Sequence, residues 1–235
     1  MKVNKVAGSQ VIEIPFKIKD KESIIRTVET SVSLLTYTKP QKRTLIVPGN
    51  VEDLPDSIPG GLIKKGQTLE GTLYETEGSE PGIQIESNIY YDTSTLNLFK
   101  SIYDTVVDLH NNKTDEKNLP KYQHGWFYIS PPSNEEASFH DHTKFNHTFP
   151  HDTPVYTWVT YLQLPDNCKG DEGMLAFRET RDSVTELIDV KPDTLYLFPA
   201  HLLHQPNLAP YSTLNRITAA GNIVIPASEK SLFTE

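Results

Sequence analysis

Two histidines two residues apart, His140 and His142 in the run Ser138-Phe139-His140-Asp141-His142, carry the strongest chemical signal in the chain. Side chains alternate along an extended strand, so both project from one face and can reach a single metal ion, while Asp141 points the other way. A third histidine, His204, comes far downstream in Phe198-Pro199-Ala200-His201-Leu202-Leu203-His204, and Arg216 follows it. Imidazole suits first-row metals such as iron, and three protein ligands on one side leave coordination positions open to other molecules. Arg216 is always charged and presents a planar fork that grips a carboxylate with two hydrogen bonds. Thr218 lies on the same strand face and adds a hydroxyl. The set reads as a metal site beside an anion clamp.

Strands must position these residues. After Pro120 the chain consists of short apolar or alternating runs at 125–130, 138–142, 155–164, 173–178, 184–190, 194–198, 202–207 and 216–225, separated by turn residues. Eight such runs without helical periodicity between them predict a double-sheet jelly roll. On the last run Arg216, Thr218, Ala220 and Asn222 share a face that leaves room for a ligand, and Ile217, Ala219, Gly221 and Ile223 share the other. On 155–164 the residues Val155, Thr157, Val159, Tyr161 and Gln163 fall together. Tyr161 is a candidate hydrogen-bond partner for the molecule held by Arg216; a tyrosine at the sheet edge is the alternative.

Upstream, 9–19 reads as a first strand. Residues 21–36 read as an amphipathic helix capped by Asp20, with Ile24, Ile25, Val28, Val32 and Leu35 in register. The segment from Leu45 to Gly82 is dense in Pro and Gly and predicts turns and irregular coil, with a functional lid as one reading. Residues 95–110 give the clearest helix: Leu98, Phe99, Ile102, Tyr103, Val106 and Leu109 form one stripe, and Ser94 can cap it. The expected organisation is an N-terminal α+β elaboration over 1–120, a β core over 121–228 and a tail over 229–235. The fold class is mainly β with flanking helices.

From about Trp126 to Ile225 the chain resembles the iron(II)- and 2-oxoglutarate-dependent oxygenase superfamily, and looks most like a branch found in bacteria and their viruses. The resemblance rests on His140-x-His142, on Leu197-Phe198-Pro199 leading to His204, and on Arg216-x-Thr218 followed by Asn222. It implies a double-stranded β-helix core with the His pair ending the second strand and the last His and the Arg on the seventh and eighth. It also implies iron(II) held by His140, His142 and His204, and 2-oxoglutarate as co-substrate near Arg216, Thr218 and Asn222, to which the strand face of 155–164 adds Tyr161. Dioxygen would be activated, succinate and carbon dioxide released, and a C–H bond of a second substrate hydroxylated. The superfamily more often has an acid two positions after the first His. None of the eight histidines here has one.

Blander readings stand beside these. His147 and His151 read as residues of a solvated loop, with Asp152 a candidate outer carboxylate; Asp141 becomes a ligand only if the strand breaks at His140. His201 competes with His204 for the distal position, and the spacing from Leu-Phe-Pro favours His204. Two rival classes remain: a cupin-like protein using the same strands with another metal, and a non-catalytic jelly-roll binding module. A net charge of −9 and a pI near 5.4 argue against nucleic acid or an anionic membrane as partner. The single cysteine, Cys168, forms no internal disulfide, the first residues lack the apolar run of a signal peptide, and no stretch predicts a membrane span. A cytoplasmic location follows as the expectation. The second substrate is left as a small molecule or a peptide, and the oligomeric state is left open.

Overall fold

The computed structural model describes residues 1–33, 43–46, 70–75, 83–86, 93–117, 119, 121–134, 137–143, 153–225, 228 and 230–233. The first half of the chain forms β1 (Lys2–Val6), β2 (Ser9–Pro15), α1 (Lys21–Ser33), β3 (Arg43–Ile46), β4 (Glu70–Glu75), β5 (Ile83–Glu86) and α2 (Thr93–Thr114). Then follow β6 (Tyr122–Ser130), β7 (Val155–Gln163), β8 (Leu175–Arg178) and β9 (Glu186–Ile188). The chain closes with β10 (Thr194–Pro199), β11 (Leu203–Pro206) and β12 (Arg216–Val224).

The strand β7 reads VYTWVTYLQ and is buried at every position but the last. Such a β-branched and aromatic run fits a pleated surface covered on both faces. It lies between β10 and β12 in a nine-stranded antiparallel sheet of order β1-β2-β10-β7-β12-β6-β5-β4-β3, opposed by a small sheet of order β11-β8-β9. Alternation sorts its side chains. Trp158 and Leu162 join Phe127, Ile217, Ala219 and Ile223 under the helices, against Ile24 and Val28 of α1 and Leu98, Phe99, Ile102 and Val106 of α2. Val159 and Tyr161 face the other way and pack with Phe198 of β10 and with Leu175, Phe177 and Ile188 of the small sheet. Each fully buried apolar side chain of this kind contributes roughly 1.5–3 kcal/mol. The result is a jelly-roll core with helices on the outer face of its larger sheet.

Two glycines let the outer face close. Gly125 and Gly221 are register partners on β6 and β12. A Cβ at Gly221 would stand 2.3 Å from the His124 carbonyl oxygen and 2.6 Å from Trp158, and one at Gly125 would stand 2.7 Å from Phe99. The space is taken by rings: Phe99 meets Trp158 and Phe127 edge to face at 5.8 and 5.2 Å.

Several expectations need correction. The run 138–142 is not a strand; it makes a single bridge, His140 to His204. The N-terminus contributes a strand, β1, not read from the sequence, which pairs residue by residue with β2. Within 45–82, expected to be coil, β4 pairs with β3 and β5, and the rest of that segment lies outside the described residues. Helix α2 starts at Thr93, so Ser94 falls inside its first turn. Residues 34–36, the expected end of α1, are outside the described residues, but its start is confirmed: Ile24 N–H donates to the Asp20 carbonyl at 3.0 Å.

Candidate metal centre and anion site

The three histidines of the motif meet. Ring nitrogens of His140, His142 and His204 all lie within 4.8 Å of one another. Backbone bonds bring them there: His140 N–H donates to the His204 carbonyl and His204 N–H to the His140 carbonyl, at 3.1 and 2.9 Å, while His142 N–H donates to the Ala200 carbonyl at 2.8 Å. The short segment 140–142 is thereby stitched to β11 and the turn before it. His204 is wedged between the rings of Phe198 and Phe177, with centroids at 4.8 and 6.4 Å.

Each imidazole has its Nδ1 turned to an oxygen. His140 Nδ1 is 3.2 Å from the Ser138 carbonyl, His204 Nδ1 is 2.9 Å from the Leu202 carbonyl, and His142 Nδ1 is 2.8 Å from Asn222 Oδ1. A carbonyl oxygen only accepts, so the ring proton sits on Nδ1 and Nε2 is the unprotonated nitrogen, which is how metal-bound histidines are oriented. Burial pushes the pKa of His142 down to about 4, and burial together with the neighbouring His140 and His142 holds His204 well below its ordinary range. Both are neutral at neutral pH and can take a cation without first losing a proton. The donor set fits a first-row metal ion.

Asp141 does not join it. Its Oδ1 accepts from the Thr143 amide at 2.9 Å and from the Thr143 hydroxyl. Burial works against its charge, yet these donors keep the carboxyl below its usual value. His201 is exposed and borders a separate cavity with Lys5 and Glu186. His147, His151 and Asp152 lie outside the described residues.

A cavity of about 290 Å³ opens beside the triad, lined by the three histidines and by Trp126, Tyr128, Phe198, Arg216 and Thr218. The registers explain who faces it: Thr218 stands opposite Tyr128 and Tyr161, Ala220 opposite Trp126 and Val159, and Asn222 opposite His124 and Thr157. The β12–β7 register shifts between Ile217 and Thr218. A bulge there re-aims the side chain beside it. Arg216 is 6% exposed, and its guanidinium donates from Nη2 to the Tyr161 hydroxyl at 3.3 Å, 5.1 Å from that ring's centroid. Its Nε has no hydrogen-bond partner, and among the described residues no carboxylate stands within ion-pair distance. A buried guanidinium without an anion is costly, so the cavity suits an anionic guest.

Tyr161 is therefore buried beside Arg216 rather than at a sheet edge. Asn222, expected with the co-substrate residues, bonds His142 instead. The sequence reading gave no role to Trp126, whose ring lies 5.5 Å from that of His142. Its signal was available in the alternation of His124, Trp126 and Tyr128 along β6.

No family model matches the chain, and no curated protein matches it in sequence. Solved structures do match. A Pseudomonas putida prolyl-4-hydroxylase superimposes with a TM-score of 0.51 at 12% identity, over 92% of this chain and 94% of that one. This chain shares the fold of that prolyl-4-hydroxylase. Two further matches fall at lower TM-scores. A Trichoplax adhaerens prolyl hydroxylase in complex with a hypoxia inducible factor peptide fragment gives 0.49 at 14% identity, over 92% and 83%. The viral collagen prolyl hydroxylase of Paramecium Bursaria Chlorella virus-1, a 2-oxoglutarate complex, gives 0.47 at 12%, over 91% and 95%. No helix among the described residues is long and apolar enough to cross a membrane.

Proposed function

We propose that this chain is an iron(II)- and 2-oxoglutarate-dependent dioxygenase that hydroxylates a small-molecule or peptide substrate and releases succinate and carbon dioxide. One observation carries the reading: a single cavity is lined both by three imidazoles whose ring nitrogens lie within 4.8 Å of one another and by a buried arginine that has no carboxylate within ion-pair distance among the described residues. Bound at the triad, iron(II) would supply the reduction of dioxygen coupled to oxidative decarboxylation of the co-substrate. The protein's part is positioning. His140, His142 and His204 hold the metal through Nε2. Arg216 takes the carboxylate of 2-oxoglutarate remote from the metal, Thr218 adds a hydroxyl, and Tyr161 steadies the guanidinium through its own hydroxyl. Trp126, Tyr128 and Phe198 keep the walls apolar, which strengthens every charge interaction inside the cavity.

The test is an anaerobic titration of the metal-free protein with iron(II), followed by 2-oxoglutarate. The proposal expects one equivalent of metal and then a visible metal-to-ligand charge-transfer band. Metal binding without the band would favour a cupin-like enzyme of another kind, and neither signal would favour a non-catalytic module.

A further inference from the structure

Two members of the triad are oriented by their own chain. For His140 and His204 the acceptor of Nδ1–H is the carbonyl two residues earlier, Ser138 and Leu202. His142 does not use that arrangement; the carbonyl two residues before it belongs to His140 and accepts the His204 amide at 2.9 Å. Its acceptor is a side chain 80 residues away, Asn222 Oδ1 on β12, at 2.8 Å. The Thr157 hydroxyl, on the register partner of Asn222 in β7, donates to the same oxygen at 2.9 Å. Both residues are buried, so water does not replace a lost bond.

We propose that Asn222, held by Thr157, is the positioning residue that selects the tautomer of His142 and so decides whether the triad can bind a metal. The inference rests on the reading of the triad as a metal site. With its oxygen toward the ring, the amide requires a proton on Nδ1 and leaves the Nε2 lone pair for the ion. Turned over, it would place an N–H on Nδ1, drive the ring proton to Nε2 and close that ligand position. The Thr157 hydroxyl lies 3.4 Å from His142 Nδ1 and 2.9 Å from Asn222 Oδ1; with the ring proton on Nδ1 it donates to the amide oxygen, and that bond supports the first orientation. The neutral amide also leaves the ring less basic than an anionic partner would, since a carboxylate in this place raises the basicity of a ligand histidine.

Two-bond ¹H–¹⁵N correlation spectra of histidine-labelled, metal-free protein at neutral pH read each ring's tautomer directly, and cobalt(II) titration reads affinity. The parent is expected to carry the His142 proton on Nδ1. Asn222→Leu should mix in the Nε2–H form at His142 alone and weaken cobalt(II) binding on the order of 10–100-fold. Asn222→Asp should keep the Nδ1–H form and bind at least as tightly as the parent. Thr157→Val, which retains size, should shift the tautomer partway with a severalfold loss, and keeps the test open if Asn222→Leu does not fold. An Nε2–H tautomer in the parent overturns the proposal, as does a Thr157→Val protein whose His142 tautomer and cobalt(II) affinity match the parent's. A parent that binds no cobalt(II) while showing the expected tautomers overturns instead the reading of the triad as a metal site, and with it the metal arm of this proposal.

Discussion

Adjacent residues of β7, Tyr156 and Thr157, point to histidine-containing polar clusters on opposite sides of the same sheet, and the clusters are built differently. Under the helices, His110 of α2 meets the Tyr156 hydroxyl at 2.9 Å through Nδ1 and Glu116 at 3.4 Å through Nε2. Glu116 accepts from the Ser228 hydroxyl, Leu232 N–H donates to the Tyr156 oxygen at 3.0 Å, and Lys230 donates to the Thr114 carbonyl at 2.7 Å. Both imidazole nitrogens face protein partners, one of them an acid, and the product is a clasp between the end of α2 and the chain's last segment. Across the sheet, Thr157 belongs to a cluster of three imidazoles whose Nδ1 atoms are each turned to an oxygen and whose ring nitrogens lie within 4.8 Å of one another. A histidine set between a tyrosine and an acid that tie two segments together holds a fold. A cluster that gathers three imidazoles and a guanidinium with no carboxylate beside it among the described residues around a cavity is arranged for guests.

The largest expected effect breaks the comparison along its main line. His142→Ala or His204→Ala should abolish iron(II) binding at one equivalent with the fold retained, while His110→Gln should leave metal binding intact and lower stability by about 1–3 kcal/mol in denaturant unfolding. Loss of metal in the His110 variant would erase the distinction.

Next in size is the anion site. Arg216→Met should weaken 2-oxoglutarate binding on the order of a hundredfold or more, because removing one partner of a buried charge pair typically costs roughly 3–5 kcal/mol and each 1.4 kcal/mol is about tenfold. Iron binding should barely change. Arg216→Lys should recover part of the loss, keeping the charge but not the fork. Calorimetry with 2-oxoglutarate checks both.

A third, smaller effect concerns acid. Burial, outweighing nearby Glu116, holds the pKa of His110 below its ordinary value, and burial lowers those of His142 and His204. With folded values below unfolded ones, the unfolded chain binds more protons, so this stability is full above about pH 6.5 and is lost as pH falls toward the folded values, near 4 for His142. Unfolding of the metal-free protein across that window should show the decline, and His110→Gln should flatten part of it. The smallest effect is the absence of one: His201→Ala, at an exposed position away from the cavity, should retain both metal binding and the charge-transfer band.

What could be read locally was read well. The alternation of Arg216, Thr218 and Ala220 against Ile217, Ala219 and Ile223 follows from a period of two, and the structure sends the first set to the cavity and the second to the helices. The apolar stripe of α2 follows likewise from its spacing, and its clearest members are buried. His-x-His with a later His named the cluster because those residue types have few other reasons to recur together. Local pattern was weaker where pairing makes the structure. Lys2–Val6 has little apolar alternation and becomes a strand through its hairpin partner, and 138–142 has the alternation but only one bridging partner.

The sequence by itself determined which faces are apolar, where the long helix runs and which residue types are able to ligate or clamp, since each depends on neighbours within a few positions. Only the tertiary structure decided their partners. Asn222 turns to His142 rather than to the anion site because β12 pairs with β7 in the register that sets Asn222 against Thr157. Asp141 accepts from Thr143 rather than joining the three histidines, and His110 is drawn into a clasp by Tyr156, 46 residues later. A hydrogen bond acts over about 3 Å, and which atoms come that close is fixed by strand register and layer packing that no local pattern encodes.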